Sequence, residues 1–273
     1  MELEYRPMIY RLVSGLVLLV ALLVPAITAA NPGPDDLTLR AYLIYDVSGE
    51  RVVGEYNPDQ VQPVASLTKL MTALLACEHL RFDGRYILTA NEQETFNVET
   101  MRGQKMLELM LVPSNNAVCR IVARITAGGE EGFARLMNAR ARELGMKSTR
   151  FANASGLPGG EQYSCMDDLL ILTRFALAYP RIRSAIHLDR VELGGKSYNG
   201  TLKKLYDRHD GLLGGKTGYT RAAGRCLVLL YSARGRDYIV ITLGSDGVND
   251  GFRDAEIVLK HHQLYSGEVG AWE

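Results

Sequence analysis

A single α+β domain is what the sequence predicts, with strands from its two ends pairing into one antiparallel sheet, helices packed on that sheet and a helical lobe inserted between. Three observations predict it. Strand-like runs cluster at both ends, LRAYLIYD with RVVGEY near the start and CLVLLYSA with YIVITLG near the finish. The stretch between them, from about Thr89 to Ser184, shows mostly helical spacing. Composition is ordinary for a folded chain: 273 residues, 47% hydrophobic and 23% charged, without repeats or low-complexity linkers.

The first thirty residues differ in kind. After Arg6 and Arg11 comes LVSGLVLLVALLVPAITAA, an apolar run broken by Pro25 and ending in small residues, with Thr28 and Ala30 placed for cleavage. Residues 1–30 therefore read as a secretory signal. An uncleaved anchor is the competing reading, since Leu12 to Ala30 is long enough to span a thin bilayer. Both export residues 31–273 to the periplasm or the cell-envelope exterior, and membrane association is expected only if the segment stays uncleaved.

LRAYLIYD, a turn around Ser48-Gly49 and RVVGEY predict a β-hairpin. A helix follows in VASLTKLMTALL, where Leu67, Leu70, Met71, Leu74 and Leu75 form one apolar stripe. Ser66 and Lys69, at i and i+3, share the flank beside that stripe. A first helical turn carries positive partial charge and favours Glu or Gln where this one holds a cation, so the lysine costs something structurally. By itself the pair also reads as an N-cap serine followed by a snorkelling lysine. MLELMLV, AVCRIVARITA, EEGFARLMNARARELGM and MDDLLILTRFALA continue the helical block. After Pro180 come VEL, a second hairpin turning at Arg234-Gly235-Arg236, and FRDAEIVLKHH as a closing helix.

Charge and ligand chemistry exclude several functions. With 31 basic and 31 acidic residues and no long basic run, nothing argues for a nucleic-acid partner. Cys77, Cys119, Cys165 and Cys226 have no C-x-x-C spacing; an exported chain allows disulfides, but their apolar contexts favour buried thiols. His261 and His262 end the last helix, where a cation suits the dipole, and no H-E-x-x-H occurs. No metal and no cofactor are expected.

Two further polar clusters follow Ser66 and Lys69. LVPSNNAVC places Ser114 and Asn116 in a short turn between two apolar helices, and LLGGKTGYT places Lys216-Thr217-Gly218 at the head of a strand-like segment. Pro, Ser and Asn are common turn and cap residues, so the first cluster is weak alone. The second is no phosphate loop: Asp210 stands where Walker A needs glycine, and a strand rather than a helix follows the lysine.

In this order S-x-x-K, S-x-N and K-T-G resemble the penicillin-recognising serine enzymes. More narrowly, PVASLTKLMTALL, VPSNNAVCRIVARITAG, LMNARARELGMKSTRFANASGLPG and LLGGKTGYTRAAGRCLVLL are similar to the low-molecular-mass D-alanyl-D-alanine carboxypeptidases and endopeptidases, from about Tyr42 to His262. The resemblance implies a five-stranded antiparallel sheet with flanking helices, a β-lactamase/transpeptidase-like fold with its site in the cleft beside the helical lobe. It implies D-Ala-D-Ala carboxypeptidase activity on peptidoglycan stem peptides and inhibition by β-lactams, or D,D-endopeptidase activity on crosslinks.

The resemblance also explains the costly lysine. Ser66 would be the nucleophile of an acyl-enzyme, and Lys69 the base, made basic at neutral pH by the helix N-terminus, burial and the second cation Lys216. Ser114 would relay the proton to the leaving amine. Asn116 would hold the substrate amide and Lys69, and backbone N–H groups of Ser66 and Tyr219, beside Gly218, would form the oxyanion hole. Lys216 and Thr217 would bind the terminal carboxylate, while their strand pairs with the peptide.

Rivals are weaker. A class A-type β-lactamase needs E-x-x-L-N between Asn116 and Lys216, where Glu161 is followed by Gln-Tyr-Ser. A silent envelope binding protein would not need all three motifs. The resemblance has departures as well: NVETMRGQ is short where relatives carry a small rim hairpin, so the rim is expected to be open. The chain ends soon after His262, so no C-terminal membrane anchor is expected. Carboxypeptidases often place an arginine after the strand that follows the K-T-G hairpin, and GSDGVNDG, Gly244 to Gly251, has none. An unusually high share of endopeptidase activity is expected from that loss.

Overall fold

The computed structural model describes residues 37–270 and 272, apart from residue 248. The expected signal segment, residues 1–30, lies outside the described residues. No helix among the described residues is long and apolar enough to cross a membrane.

The chain opens with β1 (Ala41–Asp46) and β2 (Arg51–Tyr56), the expected hairpin. A 3-10 turn over Ala65–Thr68 then leads into α1 (Lys69–His79). The lobe follows as β3 (Arg85–Ile87), α2 (Ala90–Phe96), β4 (Thr100–Arg102), α3 (Gly103–Leu111), α4 (Asn116–Ala127), α5 (Glu130–Glu143), α6 (Met166–Ala178) and α7 (Pro180–Ile186). A small hairpin of β5 (Arg190–Leu193) and β6 (Lys196–Asn199) and the short α8 (Lys203–Tyr206) lead back to the sheet. The sheet is completed by β7 (Leu212–Thr220), β8 (Gly224–Ala233) and β9 (Arg236–Ser245), and α9 (Asp250–His261) closes the fold.

Five strands in the order β2-β1-β9-β8-β7 form one antiparallel sheet, so the predicted joining of the chain's two ends is borne out. Both sheet faces are covered, which is why β1 and much of β8 and β9 are apolar on both sides. Ala41, Leu43, Cys226, Val228, Ile239 and Ile241 face the lobe, whereas Tyr42, Ile44, Leu227, Leu229 and Val240 face α9. The β8–β9 turn places Arg234 and Gly235 at φ 53° and 71°, a two-residue geometry whose twist suits a hairpin.

Local chemistry explains the lobe's boundaries. Thr89 and Glu92 form a capping box at α2, and the Asn115 side chain accepts from Val118 N at 3.1 Å to cap α4, which ends on left-handed Gly128. Pro180 begins α7, where its missing N–H costs nothing. α1 is enclosed along most of its length, from Lys69 to Ala76, among α3, α4 and α6. Truncating Leu70, Met71 or Leu74 there to alanine is worth about 2–5 kcal/mol each.

Three local expectations need correction. Ser66 is not an N-cap in the first turn of an α-helix; it sits in the 3-10 turn, and α1 starts at Lys69. Lys216-Thr217-Gly218 lies within β7 rather than at its head, since pairing with β8 begins as early as Leu212. NVETMRGQ carries β4, which pairs with β3 through Thr100, Met101 and Arg102. All four cysteines are free thiols, and Cys119, Cys165 and Cys226 are buried.

Candidate active site

The 3-10 turn, the α3–α4 connection and β7 converge beside the sheet, and they bring the three motifs together. Lys69 Nζ lies 2.6 Å from Ser66 Oγ, 2.8 Å from Asn116 Oδ1 and 2.7 Å from the Ser155 carbonyl. Lys216 Nζ donates to Ser114 Oγ and to the Thr217 carbonyl, both at 2.8 Å. Thr217 Oγ1 meets Thr201 Oγ1 at 2.8 Å. Tyr219 is exposed, and Gly218 brings β7 against the turn that carries Ser66. Every residue singled out from the sequence therefore belongs to this one neighbourhood.

Both lysines are fully buried, at 0% exposure. Burial lowers the pKa of Lys69, and it lowers that of Lys216 well below the ordinary range, with the Lys69 charge adding to the effect. Cys119 lies within the field of both. Burial pushes its thiol up to about 11, so it stays protonated and does not neutralise them. Two ammonium groups in one buried site favour loss of a proton from at least one.

The bonding of Lys69 suits that neutral form. Asn116 Oδ1 and the Ser155 carbonyl are acceptors only toward Nζ, so they take two N–H groups. The third position of the tetrahedral nitrogen faces Ser66 Oγ. A neutral amine directs its lone pair there and accepts the Ser66 O–H proton.

Backbone strain gathers at the same place. Ala65, just before Ser66, and Ser114 have φ of 48° and 60°, each costing on the order of 1–2 kcal/mol for an L-residue. The loop from Asn153 to Leu157 clamps the turn from the other side. Asn153 Oδ1 accepts from Ser155 N, Ser155 Oγ and Gly156 N, at 3.1, 3.0 and 2.8 Å. Thr72 Oγ1 donates to the Ala154 carbonyl at 2.7 Å. A Cβ on Gly156 would lie 1.9 Å from the Ala65 carbonyl oxygen, so only glycine admits this approach.

Sequence reasoning missed Ser155, Thr201 and Arg225. Ser155 acts through its carbonyl, which no side-chain pattern announces. Thr201 lies between the β5–β6 hairpin and α8, with no motif around it. Arg225 is one strand away from Lys216, yet its charge depresses the Lys216 pKa.

The family model for D-alanyl-D-alanine carboxypeptidases, peptidase S11, matches residues 27–247. The D-alanyl-D-alanine endopeptidase of Escherichia coli (strain K12) is 29% identical over 252 residues, 86% of this chain and 80% of that protein. The D-alanyl-D-alanine carboxypeptidase DacB2 of Mycobacterium tuberculosis is 28% identical over 233 residues, 81% of this chain and 79% of that one. Penicillin-Binding Protein D2 from Listeria monocytogenes, solved in its ampicillin-bound form, superposes with a TM-score of 0.74 at 28% identity, covering 82% of this chain and 97% of that chain.

Proposed function

The chain belongs to the D-alanyl-D-alanine carboxypeptidase family, peptidase S11, and from that premise we propose that it is a serine-type D-Ala-D-Ala carboxypeptidase of peptidoglycan stem peptides, acylated by β-lactams on Ser66. The observation that carries the reading is the 2.6 Å contact between Ser66 Oγ and buried Lys69 Nζ. Lys69 takes the Ser66 proton as Oγ attacks the carbonyl of the penultimate D-Ala. Backbone N–H groups of Ser66 and Tyr219 stabilise the developing oxyanion.

The C–N bond then breaks, and Ser114, hydrogen-bonded to Lys216, relays a proton to the leaving nitrogen. Asn116 holds the peptide amide and orients Lys69. Thr217 and Lys216 favour the terminal carboxylate, and the peptide lies along the outer edge of β7. Water then cleaves the Ser66 ester through the same base.

D,D-endopeptidase activity is the second reading, supported by the endopeptidase relative described above and by the arginine-free turn after β9. Residues 31–273 are then one exported peptidase domain, with residues 1–30 as signal or anchor.

Fluorescent penicillin should label the wild-type enzyme covalently and leave Ser66→Ala unlabelled at an unchanged circular dichroism spectrum. A labelled Ser66→Ala protein removes Ser66 as nucleophile. Offered a D-Ala-D-Ala pentapeptide and a crosslinked muropeptide dimer at equal concentration, the enzyme divides its turnover between the two readings directly.

A further inference from the structure

We propose that Arg225 recognises the substrate carboxylate beside the scissile nitrogen, reaching it across the strand that carries Lys216 and Thr217. The inference rests on the D,D-peptidase reading above and names the group that selects its substrates.

Register places Arg225 there. It is the Cα partner of Tyr219, while Thr217 pairs with Leu227, so Arg225 and Thr217 are diagonal neighbours, a relationship long side chains bridge. They also share a face. Lys216 and Gly218 point to the Ser114 and Ser66 side of β7, which leaves Thr217 and Tyr219 on the other. On β8, Arg225 alternates with Cys226 and falls in with Leu227 and Leu229, which face α9.

The side chain runs toward β7. The guanidinium carbon lies 5.9 Å from the Tyr219 ring centroid and 5.1 Å from that of Phe252. Gly251 in the first turn of α9 backs it, because a Cβ there would come within 1.9 Å of Arg225 Cγ. Two aromatic faces and a glycine thus hold a half-buried guanidinium in one direction. Since β7 ends the sheet, only one strand spacing, about 4.8 Å, separates the Arg225 backbone from the strand along whose free edge a peptide would pair.

Its charge is felt at the site, for it helps hold the Lys216 pKa down, after burial and Lys69. A carboxylate bound between them relieves that repulsion. Arg225 therefore supplies from β8 the cation that the turn after β9 lacks, and free-acid ends are selected despite that turn.

The test is steady-state hydrolysis of a peptide ending in D-Ala-D-Ala as the free acid and as its C-terminal amide, by wild type, Arg225→Gln and Arg225→Lys. Wild type should favour the acid at least tenfold in kcat/KM. Arg225→Gln should reduce that acid-to-amide preference tenfold or more, chiefly through KM, and Arg225→Lys should restore part of it. Equal losses on acid and amide would assign Arg225 a merely structural role and overturn the proposal, as would an unchanged preference or a wild type that does not distinguish the two. A wild type that cleaves neither peptide and takes no penicillin label overturns the peptidase reading itself, and the inference falls with it.

Discussion

Gly218 stands so close to Ser66 that a Cβ built on it would lie 2.9 Å from the Ser66 backbone nitrogen and 3.0 Å from the Val64 carbonyl oxygen. The strand and the nucleophile's turn touch backbone to backbone, and the space where an oxyanion would sit is set by that contact. The φ of Gly218 is not in the left-handed region, so alanine meets no conformational barrier there, only a steric one.

Gly218→Ala should therefore push β7 away from the turn and misplace the Ser66 and Tyr219 N–H groups. Penicillin acylation is expected to fall about ten- to a thousandfold, the range for losing oxyanion donors, while the fold survives. Stopped-flow acylation with a thermal melt as control checks it. Near-normal acylation would show that the contact does not shape the site.

Lys69→Arg should be nearly as damaging to acylation as Lys69→Ala. Arginine keeps a charge in the burial site but does not release its proton in a protein, and its planar fork does not reproduce the tetrahedral contacts of Nζ with Ser66 Oγ, Asn116 Oδ1 and the Ser155 carbonyl. Labelling rates of the two variants measure this. An arginine variant that labels at a rate close to wild type would remove Lys69 as the base.

His262 makes stability fall in acid. It packs over Gly54 on β2, lies 3.3 Å from the Tyr42 hydroxyl, and burial, reinforced by His261, lowers its pKa from 6.5 to about 4. The unfolded chain takes up the proton near 6.5 and the folded chain only near 4. This contribution is complete above 6.5, declines through that window and is gone below 4. Discounted for the imidazole's partial exposure, it amounts to on the order of 1–2 kcal/mol. Urea unfolding at pH 7 and pH 4 should show wild type losing about 1 kcal/mol more than His262→Gln; equal losses would contradict the assignment.

Much of the fold was legible because it is periodic. The two hairpins, α3 to α6 and α9 each carry their own alternation or 3.6-residue stripe, and both ends of the chain show strands that need a partner. The elements that escaped notice are short: β6 has four residues, KSYN, α8 has four, and α2 depends on a capping box more than on a stripe. Four residues, or the two turns of α2, offer too few positions for a period, and the stability of such elements comes from neighbours they cannot name.

The site divides in the same way. Lys69 stood out locally, as a cation where a helix disfavours one, but Ser66, Ser114, Asn116, Lys216 and Thr217 were readable only together, through the order of the three motifs. Their spacing in three motifs also carries the family. Tertiary structure alone decided that Lys69 is fully buried, that the Ser155 carbonyl completes its shell, that Thr201 meets Thr217 and that Arg225 lies one strand from Lys216. Those facts depend on contacts between residues as much as 86 positions apart, made by a backbone oxygen, a cross-strand register and the closure of a lobe. Local sequence encodes which residues are costly to place; only packing determines which distant groups come to relieve the cost.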